Sequence, residues 1–137
     1  MAIHHISCRA TSSGVDNLES ITASMDWLAG DNVDLNIDKS ASYYGSKIYI
    51  ISFKISKNKL LRNFIERLTD ESKVLLSKSI EDRIDENKIL HFRLKLSSLI
   101  DGKIEICTPL ERSVKCEIKI EVYPGQNLIE QAGNIFT

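Results

Sequence analysis

The sequence predicts an α+β fold, a mostly antiparallel open sheet with helices packed on one face, and three observations carry that reading. Alternating apolar and polar runs at Ile89–Leu96 and Ser113–Tyr123 have the two-residue period of half-buried strands. Two stretches between strands carry apolar residues at helical spacing, Leu18 to Leu28 and Leu60 to Ile84. Short turns such as Asp101-Gly102 join the late strands, which favours antiparallel pairing over evenly repeated strand–helix crossovers.

Taken in order, Ile3 to Ala10 reads as a first strand, with His4, Ile6, Cys8 and Ala10 inward and His5, Ser7 and Arg9 outward. Asp16-Asn17-Leu18-Glu19 has capping-box spacing with Asp16 at the N-cap, and Gly30 is a fitting stop, so a helix is predicted over about 16–29. Val33, Leu35 and Ile37 suggest a short, partly exposed strand. Lys47 to Ile55 is a stronger strand, apolar on both faces: Tyr49, Ile51, Phe53 and Ile55 on one, Ile48 and Ile50 on the other.

Ser56 is placed to cap the next helix, and Thr69-Asp70-Glu71 reads as a second start, so the region about 58–84 is two helices or one kinked helix. Asp85 to Lys88 turns the chain into the Ile89–Leu96 strand, whose Leu90, Phe92, Leu94 and Leu96 share a buried face while His91, Arg93 and Lys95 line the other. Lys103 to Cys107 reads as a short strand. In the strand that follows, Val114, Cys116, Ile118, Ile120 and Val122 point inward, and Leu128 to Phe136 forms a terminal helix.

With 137 residues and no internal repeat, the expectation is a single domain over 1–137 with a core large enough to need no staples. No run approaches the ~18 apolar residues that span a bilayer, and His4, His5 and Ser7 break any signal-peptide pattern, so a cytoplasmic protein is expected. The net charge of −1 conceals an asymmetry: residues 1–42 carry two basic and six acidic side chains, the remainder 16 basic and 13 acidic. Any polyanion-binding surface must therefore be assembled by folding.

Glycine-rich nucleotide cradles, P-loops and hydrolase elbows are absent from the sequence. The three cysteines form no CxxC pair, and Cys116, in register with Val114 and Ile118, reads as a buried free thiol. Adjacent strand residues point to opposite faces, so His4 and His5 are not expected to chelate one ion. Glu81, Asp82, Asp85 and Glu86 cluster at one helix end, which reads as a solvated terminus; a metal-dependent hydrolase using Asp82, Asp85 and Glu86 is the weaker alternative. No cofactor and no metal is implied.

Basic and aromatic residues give a different signal. The outward sets of the strands offer His5, Arg9, His91, Arg93, Lys95, Lys115 and Lys119, and Tyr43, Tyr44 and Lys47 sit at a loop-to-strand junction. Arg and Lys hold phosphates and rings stack on bases, a combination that suits RNA. Glu117 and Glu121 alternate with the lysines, so an ordinary solvated face stays open as a reading.

Four segments resemble a family of small archaeal proteins described as predicted RNA-binding or exosome-associated subunits, similar in fold to the large-subunit ribosomal protein that binds 5S rRNA. The family's His-Tyr-Gly-Asn motif is matched by Tyr43-Tyr44-Gly45-Ser46, and its Arg-Val-Asp-Glu helix end by Arg83-Ile84-Asp85-Glu86. Its Leu-Tyr-Leu-Arg-Leu-Asp-Lys-Gln strand is matched loosely by Ile89 to Leu96, and its Lys/Ile strand ending in Tyr-Pro by Lys115 to Pro124. The resemblance spans nearly the whole chain. It departs from the family at Tyr43, Ser46 and Lys95-Leu96-Ser97.

The resemblance implies a non-catalytic RNA-binding protein with a ribosomal-protein-like fold, accessory to RNA processing or to exosome- or ribosome-associated machinery. Arg93 and Lys95 are the expected phosphate contacts, with His91 beside them and Arg9, Lys47, Arg83 and Lys115 as further candidates. Tyr43 and Tyr44 either stack on bases or pack on the core edge. The alternative is a protein-interaction subunit of a larger complex with no direct RNA contact.

Overall fold

A computed structural model describes residues 2–13, 16–41, 45–107 and 112–137. Its chain order is β1 (Ile3–Ser12), α1 (Leu18–Ala29), β2 (Asn36–Ala41), β3 (Lys47–Ile55), α2 (Asn58–Glu66), α3 (Asp70–Lys78), α4 (Ile80–Arg83), β4 (Ile89–Lys95), α5 (Leu96–Ile100), β5 (Ser113–Ile120) and α6 (Leu128–Ile135). The strands form one open sheet in the order β2-β3-β1-β5-β4, with every neighbouring pair antiparallel. No helix is long and apolar enough to cross a membrane among the described residues.

Alternation fixes which face each strand buries. Ile6, Cys8 and Ala10 of β1, Ile51, Phe53 and Ile55 of β3, Leu90, Phe92 and Leu94 of β4, and Val114, Cys116, Ile118 and Ile120 of β5 are all buried. Direct pairing places Phe53, Cys8, Cys116 and Phe92 in one row across the four strands. The helices cover this face and complete the core with Met25, Leu28, Leu61, Phe64, Leu76 and Ala132. On the opposite face none of the strand residues is buried. The sheet is therefore covered on one side and open on the other, as the alternation predicts.

Several local expectations are corrected. In β1 the pairing with β5 slips between Ile3 and His5, so one extra residue is accommodated by a β-bulge. Ile3 is buried in the place expected for His4, and His4 is exposed. The β2 strand begins later than Val33, and all six of its residues are exposed. Leu96 is buried but opens α5 rather than ending β4. Residues 103–107 form isolated bridges rather than the expected strand, Ile106 with Leu94 of β4 and Ile104 with Leu68 just after α2.

Helix ends explain the remaining differences. Asn17, not Asp16, caps α1 by accepting from the Ser20 amide at 3.1 Å. Asp16 instead pairs with Arg112 and accepts from the Ser13 amide, and the Arg112 hydrogen bond above all holds its carboxyl far below the usual carboxylate range. Ser56 does not cap α2, whose N-cap is Lys57 without a side-chain bond, whereas Thr69 caps α3 as expected. The region from 58 to 84 is three helices, because Ser79 ends α3 and α4 follows as a separate turn.

Arg67 joins α2 to α1. Its Nη1 and Nη2 donate to the Trp27 and Leu28 carbonyls at 2.9 and 2.7 Å, and its guanidinium lies 4.8 Å from the Trp27 ring centroid. A cation at the carbonyl end of a helix satisfies orphan acceptors and is attracted to the negative end of the helix dipole. Removing it leaves those carbonyls without their charged donor. Arg67→Ala is expected to lower stability by about 1.5–3 kcal/mol, and Arg67→Lys to recover little, because an ammonium cannot serve two carbonyls while stacking. Urea denaturation checks this; an Arg67→Ala midpoint equal to that of the wild type contradicts it.

Candidate nucleic-acid interface

Register builds the site. Arg9 of β1 lies directly opposite Lys115 of β5, and Lys115 lies directly opposite Arg93 of β4. Adjacent strands are about 4.8 Å apart, so three cationic side chains cross the open face within about 10 Å at backbone level. Ser52 and Asn36 continue the row toward β2, without charge. Arg93 donates to Ser113 Oγ at 3.2 Å, which steadies its guanidinium at the sheet surface.

The next row in the sheet is Lys54, Ser7, Glu117 and His91. It supplies the counter-charges. His91 Nε2 lies 2.7 Å from Asp85 Oδ2, and its Nδ1 lies 3.6 Å from Glu117 Oε1, which in turn lies 3.8 Å from Lys115 Nζ. Asp85 also accepts from the Asn87 and Ile89 amides at 2.8 and 3.0 Å. The His91 hydrogen bond, followed by that from Ile89, lowers the Asp85 pKa. His91 is thus held between two carboxylates in a chain ending at Lys115.

Two grooves flank Lys115. One, of ≈ 530 Å³, is lined by Arg9, Lys54, Lys115, Asp34 and Glu117 among others. The other, of ≈ 400 Å³, is lined by Arg83, His91, Arg93, Lys115, Asp82 and Asp85 among others. Of the candidates, Arg9, Arg83, His91, Arg93 and Lys115 are therefore gathered around one centre. Lys95 continues β4 on the same open face, opposite Ser113. Lys47 is not gathered: it pairs with Ala41 at the far end of β3, with the parity of the covered face. Tyr43 and Tyr44 lie outside the described residues.

Lys54 was absent from the expected set although it shares the parity of Ile48, Ile50 and Ser52 and extends the cationic surface. The same period-2 rule applied to the end of that strand would have found it. Lys119, opposite His5, is engaged by the Asn87 carbonyl at 2.5 Å.

The bulge also changes the geometry assumed for His4 and His5. The rings are not on opposite faces: they sit T-shaped with centroids 5.0 Å apart and Nδ1 atoms at 2.8 Å. Among the described residues no three His, Cys, Asp or Glu side chains gather where they could hold a metal ion. Helix α4 ends at Arg83, so Glu81 and Asp85 do not share a helix face.

Partial burial, followed by Lys54, His4 and Lys119, lowers the His5 pKa below its ordinary 6.5, with Glu117 acting in the opposite sense. His5 is expected to titrate below pH 6.5 in an NMR pH series, and Lys54→Gln to raise its midpoint. A depressed folded pKa gives a stability contribution that is complete above the unfolded value and lost as pH falls through the folded one. A His5 midpoint at or above 6.5 contradicts this environment.

Comparison with solved structures gives the same architecture. A DUF54-family protein from Archaeglobus fulgidus matches with TM-score 0.81 at 19% identity, over 97% of this chain and 99% of that one. Mth689, a DUF54 protein from Methanothermobacter thermautotrophicus, matches with TM-score 0.81 at 23% identity, over 98% of each chain. A UPF0201 protein from Methanococcus jannaschii matches with TM-score 0.67 at 11% identity, over 96% and 91%. At these identities the likeness concerns the fold. No curated protein matches the sequence significantly. Residues 5–120, from the bulge of β1 to the last residue of β5, match a family described as RNA binding, and the chain belongs to that family.

Proposed function

We propose that the protein is a non-catalytic RNA-binding protein that holds the phosphate backbone of structured RNA on its open sheet face. The observation that carries this reading is the directly registered row Arg9–Lys115–Arg93, extended by Lys54, Arg83 and Lys95, in a chain belonging to a family described as RNA binding. Like charges placed directly opposite one another across strands are destabilising, so such a row makes physical sense where a polyanion neutralises it.

The chemistry of the face favours a particular class of RNA. Among the described residues, the side chains on this face include His5 and His91 but no Phe, Tyr or Trp. Single-stranded nucleic acid is ordinarily held by aromatic stacking platforms, whereas double-helical RNA is recognised through backbone and shape. Helical RNA is therefore the preferred ligand here. The resemblance to exosome-associated and ribosomal 5S-rRNA-binding proteins supports a role accessory to RNA processing or ribosome-associated assembly.

A second reading, a subunit docking on another protein, is favoured by the exposed Trp27 and Ile100, which line one groove with Ala23 and Leu99 on the helical side. Such an interface depends little on salt.

Fluorescence titrations with an RNA hairpin and an unstructured RNA, each at two salt concentrations, separate the readings. Tighter binding of the hairpin is expected. The Arg9→Ala/Lys115→Ala/Arg93→Ala variant should lose affinity, and on the hairpin its log–log salt slope should fall by roughly 2.7, at about 0.9 per duplex phosphate contact. Lys47→Ala should change little. An absence of RNA binding at low salt, or a triple variant that binds like the wild type, contradicts the proposal.

A further inference from the structure

Cys8 of β1 and Cys116 of β5 are direct partners across the two central strands, 108 positions apart in sequence, and their Sγ atoms lie 3.0 Å from one another. Directly opposed residues in an antiparallel pair have Cα atoms about 4.5–5.5 Å apart, inside the about 4.4–6.8 Å that a disulfide spans. Both thiols are buried, at 2% and 0% exposure, between the sheet and its helices. Cys107, the third cysteine, is half-buried on the segment beside β4.

The neighbouring pair in the same register is Arg9 opposite Lys115, on the other face. One residue along the strands and across the sheet from the two sulfurs, therefore, two cations oppose each other. We propose that Cys8 and Cys116 are a modification site, a cross-strand disulfide that forms as the sheet assembles and staples β1 to β5 beside the Arg9–Lys115 pair.

The oxidant is a low-molecular-weight disulfide, RSSR. One cysteine thiolate attacks a sulfur of RSSR, giving a mixed disulfide and RS⁻. The second cysteine thiolate attacks the protein sulfur of that mixed disulfide, forming the Cys8–Cys116 bond and releasing the second RS⁻. The two thiol protons finish on two RSH; the protein loses two electrons and RSSR gains them.

Timing follows from burial. In the finished fold small oxidants do not reach the sulfurs, and burial, with the Cys8 contact next, pushes the Cys116 thiol up, so its thiolate is scarce. Exchange therefore belongs to the stage before β1 and β5 close. Afterwards the same burial shields the bond from reducing thiols. Because the bond closes a long loop, it restricts the unfolded chain strongly.

Refolding tests this on the full chain. Protein unfolded in reductant is refolded either in a low-molecular-weight disulfide–thiol mixture or in thiol alone, then alkylated under denaturing conditions and mapped by peptide mass spectrometry. The first sample should contain the Cys8 peptide linked to the Cys116 peptide, with Cys107 alkylated, and should melt at a higher temperature than the second. Three alkylated cysteines, or a link through Cys107, overturns the assignment. Equal melting temperatures for linked and reduced protein overturn the stapling role. Cys107→Ser should leave the link intact, and its loss in that variant also counts against the proposal.

Discussion

The antiparallel register of β1, β5 and β4 sets both the buried face of the sheet and the charge on its open face. It aligns Cys8, Cys116 and Phe92 on the covered face and Arg9, Lys115 and Arg93 on the open one. Because side chains alternate, a slip of one residue would exchange the two sets, exposing the core residues and burying the cations. Burial of Ile6, Leu90, Leu94, Val114 and Ile118 to 0% exposure makes that slip prohibitive. The hydrophobic core therefore fixes the surface charge pattern, without any specific interaction among the cations themselves.

That pattern is held at some electrostatic cost. Arg9, Lys115 and Arg93 repel one another across strands, and only part of the repulsion is relieved by Glu117 and by the Ser113 hydroxyl. Two of the acids on the β4 side are already engaged: Asp85 with His91 and two amides, Glu117 with both His91 and Lys115. This leaves Arg9 and Lys54 on one flank and Arg83 and Arg93 on the other as the cationic rims of two grooves meeting at Lys115. A solvated surface of ordinary composition would place opposite charges in direct register; here the directly opposed residues in this row carry the same sign.

Much of this was readable from the chain because period-2 alternation is insensitive to tertiary context. The buried sets of β4 and β5 and the span of β3 follow from it, and so do the open-face positions of Arg9, Arg93 and Lys115. What the pattern missed depends on local competition. The bulge at His4 adds one residue that a regular period cannot represent, and it moves Ile3 into the core. Asn17 took the cap because Asp16 found Arg112, a partner 96 positions away. Leu96 kept its buried character while leaving the strand, since burial alone does not distinguish the end of a strand from the start of a helix. The cross-strand alignment of the cations was not readable at all, because pairing partners are set by topology. The Tyr43 and Tyr44 readings lie outside the described residues.

Chemical-shift mapping of an RNA hairpin on isotope-labelled protein locates the contact surface without any substitution. Perturbations are expected to concentrate at Arg9, Lys54, Arg93 and Lys115 and their strand neighbours and to diminish as salt is raised. The helical side has a groove of its own, lined by Arg62 and Lys73 with Glu66 beside them, and it serves as the internal comparison. Perturbations centred on Arg62 and Lys73, or none at low salt, would contradict an RNA surface on the open face of the sheet.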